Sequence, residues 1–167
     1  MTPGEIEAEL ESHHRAGFAW SLACCGRNRE EAEDVLQASY LKILDGRAEF
    51  AERSSFKTFL FGVIRRTASE ARRRRRVAEI FLGRPRPSAP PDPVPEDRLD
   101  LLAALAKLPR RQREVLDLVF YAAMTVEEAA RVMGVSAGSA RAHYDRAKKR
   151  MAKLLDAPSP SREESHG

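Results

Sequence analysis

Apolar residues recur every three or four positions along most of this 167-residue chain, a period that predicts helices. Residues 5–25 carry Ile6, Leu10, His13 or His14, Gly17 or Phe18, and Ser21 or Leu22 at that spacing and read as a first helix. Asn28, with Glu31 three residues on, opens a second as a capping box; Ala32, Leu36, Tyr40, Ile43 and Leu44 form its buried stripe and Gly46 ends it. Ser54 or Ser55 caps a third, whose stripe runs through Phe56, Phe59 or Leu60, Val63 or Ile64, Thr67 or Ala68, and Ala71. Three such stripes can close one core.

A second set of helices follows. Leu99, Leu102, Leu105 and Leu108 make one stripe, broken after Leu108 by Pro109. From Arg110 another helix turns Val115, Leu116, Val119 and Phe120 inward. Thr125 and Glu128 form a capping box for a helix burying Val126, Ala129, Ala130 and Met133; Gly134 supplies a tight turn and Ser136 caps the last helix, with Ala140, Tyr144 and Ala147 inward. Two helices joined through that turn make a helix-turn-helix.

Between the two sets lies GRPRPSAPPDPVPED, holding six of the ten prolines. Proline removes backbone donors and favours extended chain, so this stretch reads as a linker able to span about 45 Å. The chain thus divides into a helical domain over 1–82, a flexible linker over 83–97, a helix-turn-helix domain over 98–156 and a disordered tail over 157–167. The fold class is all-α, two small helical domains joined by a proline-rich tether and free to work on separate parts of a large target.

Charge sharpens this picture. The first domain holds 14 basic against 13 acidic residues, while 98–155 holds 12 against 6, so a chain with a net charge of only +4 concentrates its basic excess in the second domain. A local excess points to a polyanionic partner. The two cysteines, Cys24 and Cys25, are adjacent and imply no disulfide framework, which fits a reducing cytoplasm; with His13 and His14 they make no evident metal-ligand set. No apolar run suggests a signal peptide or a membrane span, and no glycine-rich phosphate loop or zinc spacing suggests an enzyme, so neither catalytic residue nor cofactor is assigned.

Each domain has side chains left over once its core is assigned. On the second helix, Glu33, Asp34, Gln37 and Leu41 form a mixed acidic, amide and apolar strip suited to a partner helix. On the third, Thr58, Phe61, Arg65, Ser69 and Arg72 place an aromatic ring among cations, and the helix runs into five consecutive arginines, Arg72 to Arg76. Phosphates would meet the arginines and unstacked bases the ring. The last helix exposes Ser139, Arg141, Ala142, His143, Arg146, Lys149 and Arg150, a set suited to a major groove, with Arg141, Lys149 and Arg150 toward phosphates and Ser139, Ala142, His143 and Arg146 toward base edges.

REEAEDVLQASYLKIL followed by SSFKTFLFGVIRRTASEARRRR resembles the second conserved region of extracytoplasmic-function (ECF) sigma factors of the sigma-70 family. LAALAKLPRRQREVLDLVFYAAMTVEEAARVMGVSAGSARAHYDRAKKRMAKLL resembles their fourth. The resemblance implies a cytoplasmic, non-enzymatic bacterial transcription initiation subunit that recruits core RNA polymerase to promoters. It implies that Glu33, Asp34, Gln37 and Leu41 dock on the clamp helices of the largest polymerase subunit, with the flap of the second-largest as a further contact. It gives the minus-10 element to Arg53, Ser54, Phe61, Arg65, Arg66, Arg72 and Arg73, with a base flipped from the stack into the loop between Gly46 and Ser55. The minus-35 element falls to Ser139, Arg141, Ala142, His143, Arg146 and Lys149. An anti-sigma factor covering both domains is a further implied partner.

The sequence departs from the family at Ala38, Ser39 and Tyr40, at Arg66 and Thr67, and in the recognition helix at Ser139, Ala142, His143 and Tyr144, so no promoter sequence is transferred from relatives. The alternative is a stand-alone helix-turn-helix transcriptional regulator. It shares the last two helices but leaves the first domain and its acidic strip unexplained.

Overall fold

A computed structural model describes residues 1–85 and 93–157. The centre of the proline-rich stretch and nearly all of the tail, whose extended and disordered character was expected above, lie outside the described residues. Among the described residues eight α-helices form and no strand occurs.

Four helices build the first lobe: α1 (Pro3–Ser12), α2 (His14–Cys24), α3 (Arg29–Leu44) and α4 (Phe56–Leu82). The single helix expected over 5–25 is two. Thr2 caps α1 in a capping box with Glu5 and Pro3 sits at its first turn, so the helix starts early; it ends at His13, whose backbone (φ −100°, ψ 6°) breaks the run before α2. Asn28 caps α3 by accepting from the Glu31 N–H at 3.1 Å, and Ser55 caps α4 by accepting from the Thr58 N–H at 3.2 Å. Helix α4 runs unbroken through the arginine series for 27 residues, about 40 Å. Gly83, at φ 61°, stops it in the left-handed conformation that glycine adopts without steric cost.

The lobe's core is made where α2, α3 and α4 meet, around Trp20, Leu36, Leu60, Phe61 and Ile64. Trp20 stacks on Phe61 with ring centroids 5.8 Å apart and planes 5° from parallel, and its indole N–H donates to the Phe61 carbonyl at 3.0 Å. Ser21 donates to the Ala32 carbonyl at 2.8 Å, pinning α2 to α3. Lys42 of α3 reaches Glu70 of α4 at 2.6 Å and Thr67 at 3.1 Å. Leu44, expected inward, is half exposed in the last turn of α3.

The second lobe contains a 3-10 turn (Glu96–Arg98), α5 (Leu99–Ala106), α6 (Arg110–Leu116), a π turn (Asp117–Tyr121), α7 (Val126–Met133) and α8 (Ala137–Asp156). Helices α5, α6 and α7 all pack on α8. The π turn admits an extra residue per turn and shifts the phase of the apolar pattern: Leu118 is buried where Phe120 had been expected, and Phe120 is exposed beside Tyr144, ring centroids 6.2 Å apart. Leu99, at the start of its stripe, is also half exposed. Thr125 with Glu128 forms a capping box, Gly134 turns at φ 66°, and Ser136 caps α8. The helix-turn-helix expected from TVEEAARVMGVS is therefore present.

The lobes are not apart, as a tether alone suggested. Helix α4 packs along α7, and the buried residues of both lobes belong to one contiguous apolar cluster.

Candidate nucleic-acid interface

The strip on α3 is where helical spacing put it. Glu33, Asp34, Gln37 and Leu41 are all exposed, and Leu41, a large apolar side chain left 59% accessible, sits one turn beyond Gln37. Glu33 is tied within its own helix to Arg29 at 3.0 Å. Residues at i, i+3 and i+4 share a face, so the strip is continuous and faces outward.

The residues expected to hold separated strands divide into two groups. Arg66 and Arg73, two helical turns apart, are exposed on the solvent side of α4, and Arg53 is exposed in the preceding loop, with Ser54 beside it donating to the Ser55 carbonyl at 3.2 Å. Arg65 and Arg72 turn instead toward the second lobe. Arg65 makes two hydrogen bonds of 3.1 Å to Glu114 of α6, and Arg110 approaches the same carboxylate at 3.4 Å. Arg72 donates through Nη1 to the Cys24 carbonyl at 3.3 Å while its Nη2 is buried without an acceptor; burial, then the nearby Arg110, lowers its pKa.

Phe61 corrects the sequence reading. Thr58 and Phe61 are buried, so the face assigned to bases belongs to the core and its neighbour lobe, because α4 is covered on both sides in this arrangement. Beside the loop that leads into α4 lie other rings, of which Phe50 and Phe59 are half-buried and Phe56 is buried. Phe50, from the loop before α4, meets Phe56 and Phe59 with centroids 5.3 and 5.2 Å apart, and His13 stacks on Phe56 at 6.2 Å. Phe50, Phe56 and His13 line an open pocket with Ser54, Ser55 and Lys57.

Lys57 and Glu114 were missed at the sequence level. Lys57 donates to the Ala122 carbonyl just beyond the π turn, and its ammonium lies 5.7 Å from the Phe61 ring centroid. Both residues close the lobes, and nothing in local spacing marks a contact between positions so far apart. A cleft of about 920 Å³ remains between the lobes, lined by Cys24, Cys25, Arg72, Arg75, Arg113 and Asp117 among others. Burial pushes the Cys25 thiol up to about 11 and the Cys24 thiol further still, so both stay protonated at neutral pH. Burial likewise raises the Asp117 carboxyl to about 6, with Glu114 adding to the rise and Arg113 and Arg27 opposing it.

On α8, Arg146 and Lys149 are exposed, and Ser139, Ala142 and His143 are half-buried along the helix's first two turns. Ser136 accepts from the Ser139 N–H at 3.1 Å, and Arg141 pairs with Glu127 of α7 at 2.6 Å. Lys148 lies over the Tyr144 ring at 4.3 Å.

A four-helix lobe with an arginine-lined long helix, packed on a helix-turn-helix lobe, defines an all-α, two-lobed class of protein with two basic helix faces. Residues 10–77 match the family described as Sigma-70 region 2, and residues 98–151 match Sigma-70, region 4. The chain is 30% identical over 152 residues to the RNA polymerase sigma factor CarQ of Myxococcus xanthus, spanning 88% of this chain and 87% of that one. It is 30% identical over 141 residues to the ECF RNA polymerase sigma factor EcfG of Rhodopseudomonas palustris, spanning 82% and 77%. The sigma factor RpoE of Bartonella quintana, solved in complex with the anti-sigma factor NepR, superposes with a TM-score of 0.74 at 26% identity, covering 93% of this chain and 99% of that one. The chain belongs to the sigma-70 family of RNA polymerase sigma factors, in its extracytoplasmic-function branch.

Proposed function

We propose that this sigma factor binds core RNA polymerase through the α3 strip, reads the minus-35 element as duplex with α8, and holds the melted minus-10 strand along the loop and outer face that lead into α4. The observation that carries the reading is the conjunction of an exposed acidic and apolar strip on one helix with two separate basic helix faces, in the order of a region 2 followed by a region 4. A lone regulator needs only the second basic face.

In this reading Arg66 and Arg73 meet phosphates, Arg53 and Ser54 flank an unstacked base, and the ring that receives it is Phe50 or Phe59, taking the place first given to Phe61. Arg65 and Arg72 join them only after the lobes part. Arg146 and His143 reach base edges, while Lys149 and Arg141 meet phosphates, Arg141 after leaving Glu127. A protein partner of the anti-sigma kind, such as the Bartonella relative has in its complex, would hold the lobes together as they are here.

Reconstitution with bacterial core polymerase tests the reading. Promoter-specific transcripts are expected with the wild-type chain, and Asp34→Lys is expected to weaken co-purification with core at least tenfold while leaving duplex binding unchanged. Duplex binding with no polymerase association selects the lone regulator instead.

A further inference from the structure

The C-terminal end of α4 carries apolar side chains that the fold does not use. Val77 is 47% exposed, Ile80 80% and Phe81 84%, a density of large exposed apolar groups unmatched elsewhere along the helix. Their spacing of three and one places them on a single stripe. At about 100° per residue this stripe lies roughly opposite the side by which Leu60, Ile64 and Ala68 enter the core, so it does not continue the buried face. Neither the α3 strip nor the phosphate contacts proposed for DNA account for it, and a base stacked on Phe81 would leave Val77 and Ile80 uncovered.

The same stripe is collared by charge. Arg73 is one turn before Val77 on the same face, with Arg74 and Arg76 to either side, and all three are exposed. Arg74 is only loosely held, 3.7 Å from Glu70, and helical spacing, two residues on from Val77, puts Glu79 on the far side of the helix. An apolar stripe ringed by cations selects an apolar partner ringed by anions. A second copy of this chain would bring one arginine collar against another, which opposes self-association. A lipid surface would need the helix to lie flat, and the residues of α4 before the arginine series are packed against α2, α3 and α7, leaving only its last turns to insert.

We propose that Val77, Ile80 and Phe81, with Arg73, Arg74 and Arg76, form a docking surface for an acidic amphipathic helix of a partner protein. It is a helix-on-helix contact in which the partner's apolar stripe covers Phe81 and Ile80 and its flanking carboxylates meet the arginines. Because Arg73 also belongs to the face proposed for the minus-10 strand, a partner seated there and single-stranded DNA exclude one another. The surface stands apart from polymerase recruitment, and its test uses the isolated full chain, so its failure leaves the sigma reading untouched and the reverse holds too.

The probe is a fluorescein-labelled helical peptide with leucine at i, i+3, i+4 and i+7 and glutamates flanking that stripe, compared with a lysine-flanked counterpart by fluorescence anisotropy. The expected result is binding of the acidic peptide at least tenfold tighter than the basic one, lost at least tenfold in I80D/F81D, with R74E/R76E exchanging the preference between peptides. Unchanged thermal unfolding of both variants shows that they fold, as their exposure requires. Equal binding by wild type and I80D/F81D overturns the proposal. So does concentration-dependent dimerisation abolished by F81D, which assigns the stripe to self-association. Co-sedimentation with phosphatidylglycerol vesicles that F81D abolishes, in the absence of peptide binding, overturns it in favour of a lipid surface.

Discussion

Arg65 of α4 holds Glu114 of α6 by two hydrogen bonds of 3.1 Å, joining positions 49 residues apart across the line between the lobes. Both side chains are largely withdrawn from water, 17% and 10% exposed, and Arg110 shares the carboxylate at 3.4 Å. Neutralising the acid leaves two guanidinium groups facing each other with no anion between them, so Glu114→Gln weakens the closed packing by about 3 kcal/mol, the scale for breaking a buried pair from one side. The expected outcome is a larger radius of gyration in small-angle scattering of the isolated chain. Scattering indistinguishable from wild type removes Glu114 as a latch.

Phe61 sits in the first lobe's core against the sole tryptophan, so truncating it acts on folding before it acts on DNA. Phe61→Ala is expected to cost about 3–5 kcal/mol, the range for deleting a buried ring. Trp20 fluorescence during urea unfolding reports this directly, with a lower midpoint. By contrast Phe59→Ala, at a half-buried position beside Phe50, leaves most of that stability in place and lowers permanganate reactivity of minus-10 thymines in the reconstituted complex. A full loss of strand opening in a stably folded Phe61→Ala variant restores the ring to the base-contacting role.

Much of this architecture was legible because local chemistry fixes it. Thr125 with Glu128, Gly134 and Ser136 specify a helix, a left-handed turn and another helix within a dozen residues, and all three appear as read. Glu33, Asp34, Gln37 and Leu41 were legible for a related reason: once the core stripe of α3 is assigned, what remains faces outward. Phe61 was misread because the face of α4 beside its core stripe is covered as well, by Trp20 and by the second lobe, and that covering surface comes from residues far from it along the chain. Phe120 was misread because a π turn changes the period on which the inference rests. The Arg65–Glu114 contact had no local signature at all.

Asp117 makes stability depend on pH in a direction unusual for a carboxylate. Its pKa is raised from 3.8 to about 6, so between those values the folded chain holds a proton that the unfolded chain has released. Stability from this group is therefore fully present below about pH 4 and is lost as pH rises through 6, by about 3 kcal/mol at most. Asp117→Asn, which keeps the shape without the charge, is expected to raise the urea midpoint at pH 7.5 relative to wild type and to erase the difference at pH 4. Identical midpoints for the two proteins at both pH values remove Asp117 from the interlobe energetics.

Arg146 and Lys149 share the exposed side of α8 but stand one turn apart, so they meet a duplex at different depths when the start of the helix enters the groove. A guanidinium that pairs with a base edge discriminates; an ammonium on a phosphate does not. Arg146→Ala is expected to cost about 1–3 kcal/mol on the preferred minus-35 sequence and to flatten the preference at one base pair, while Lys149→Ala weakens every sequence alike and lowers the salt dependence of binding by about one counterion. Selection of duplexes from a randomised library by the reconstituted polymerase measures both. If Arg146→Ala lowers all sequences equally, the guanidinium serves a phosphate, and sequence reading passes to Ser139, Ala142 and His143, the half-buried residues nearer the helix start.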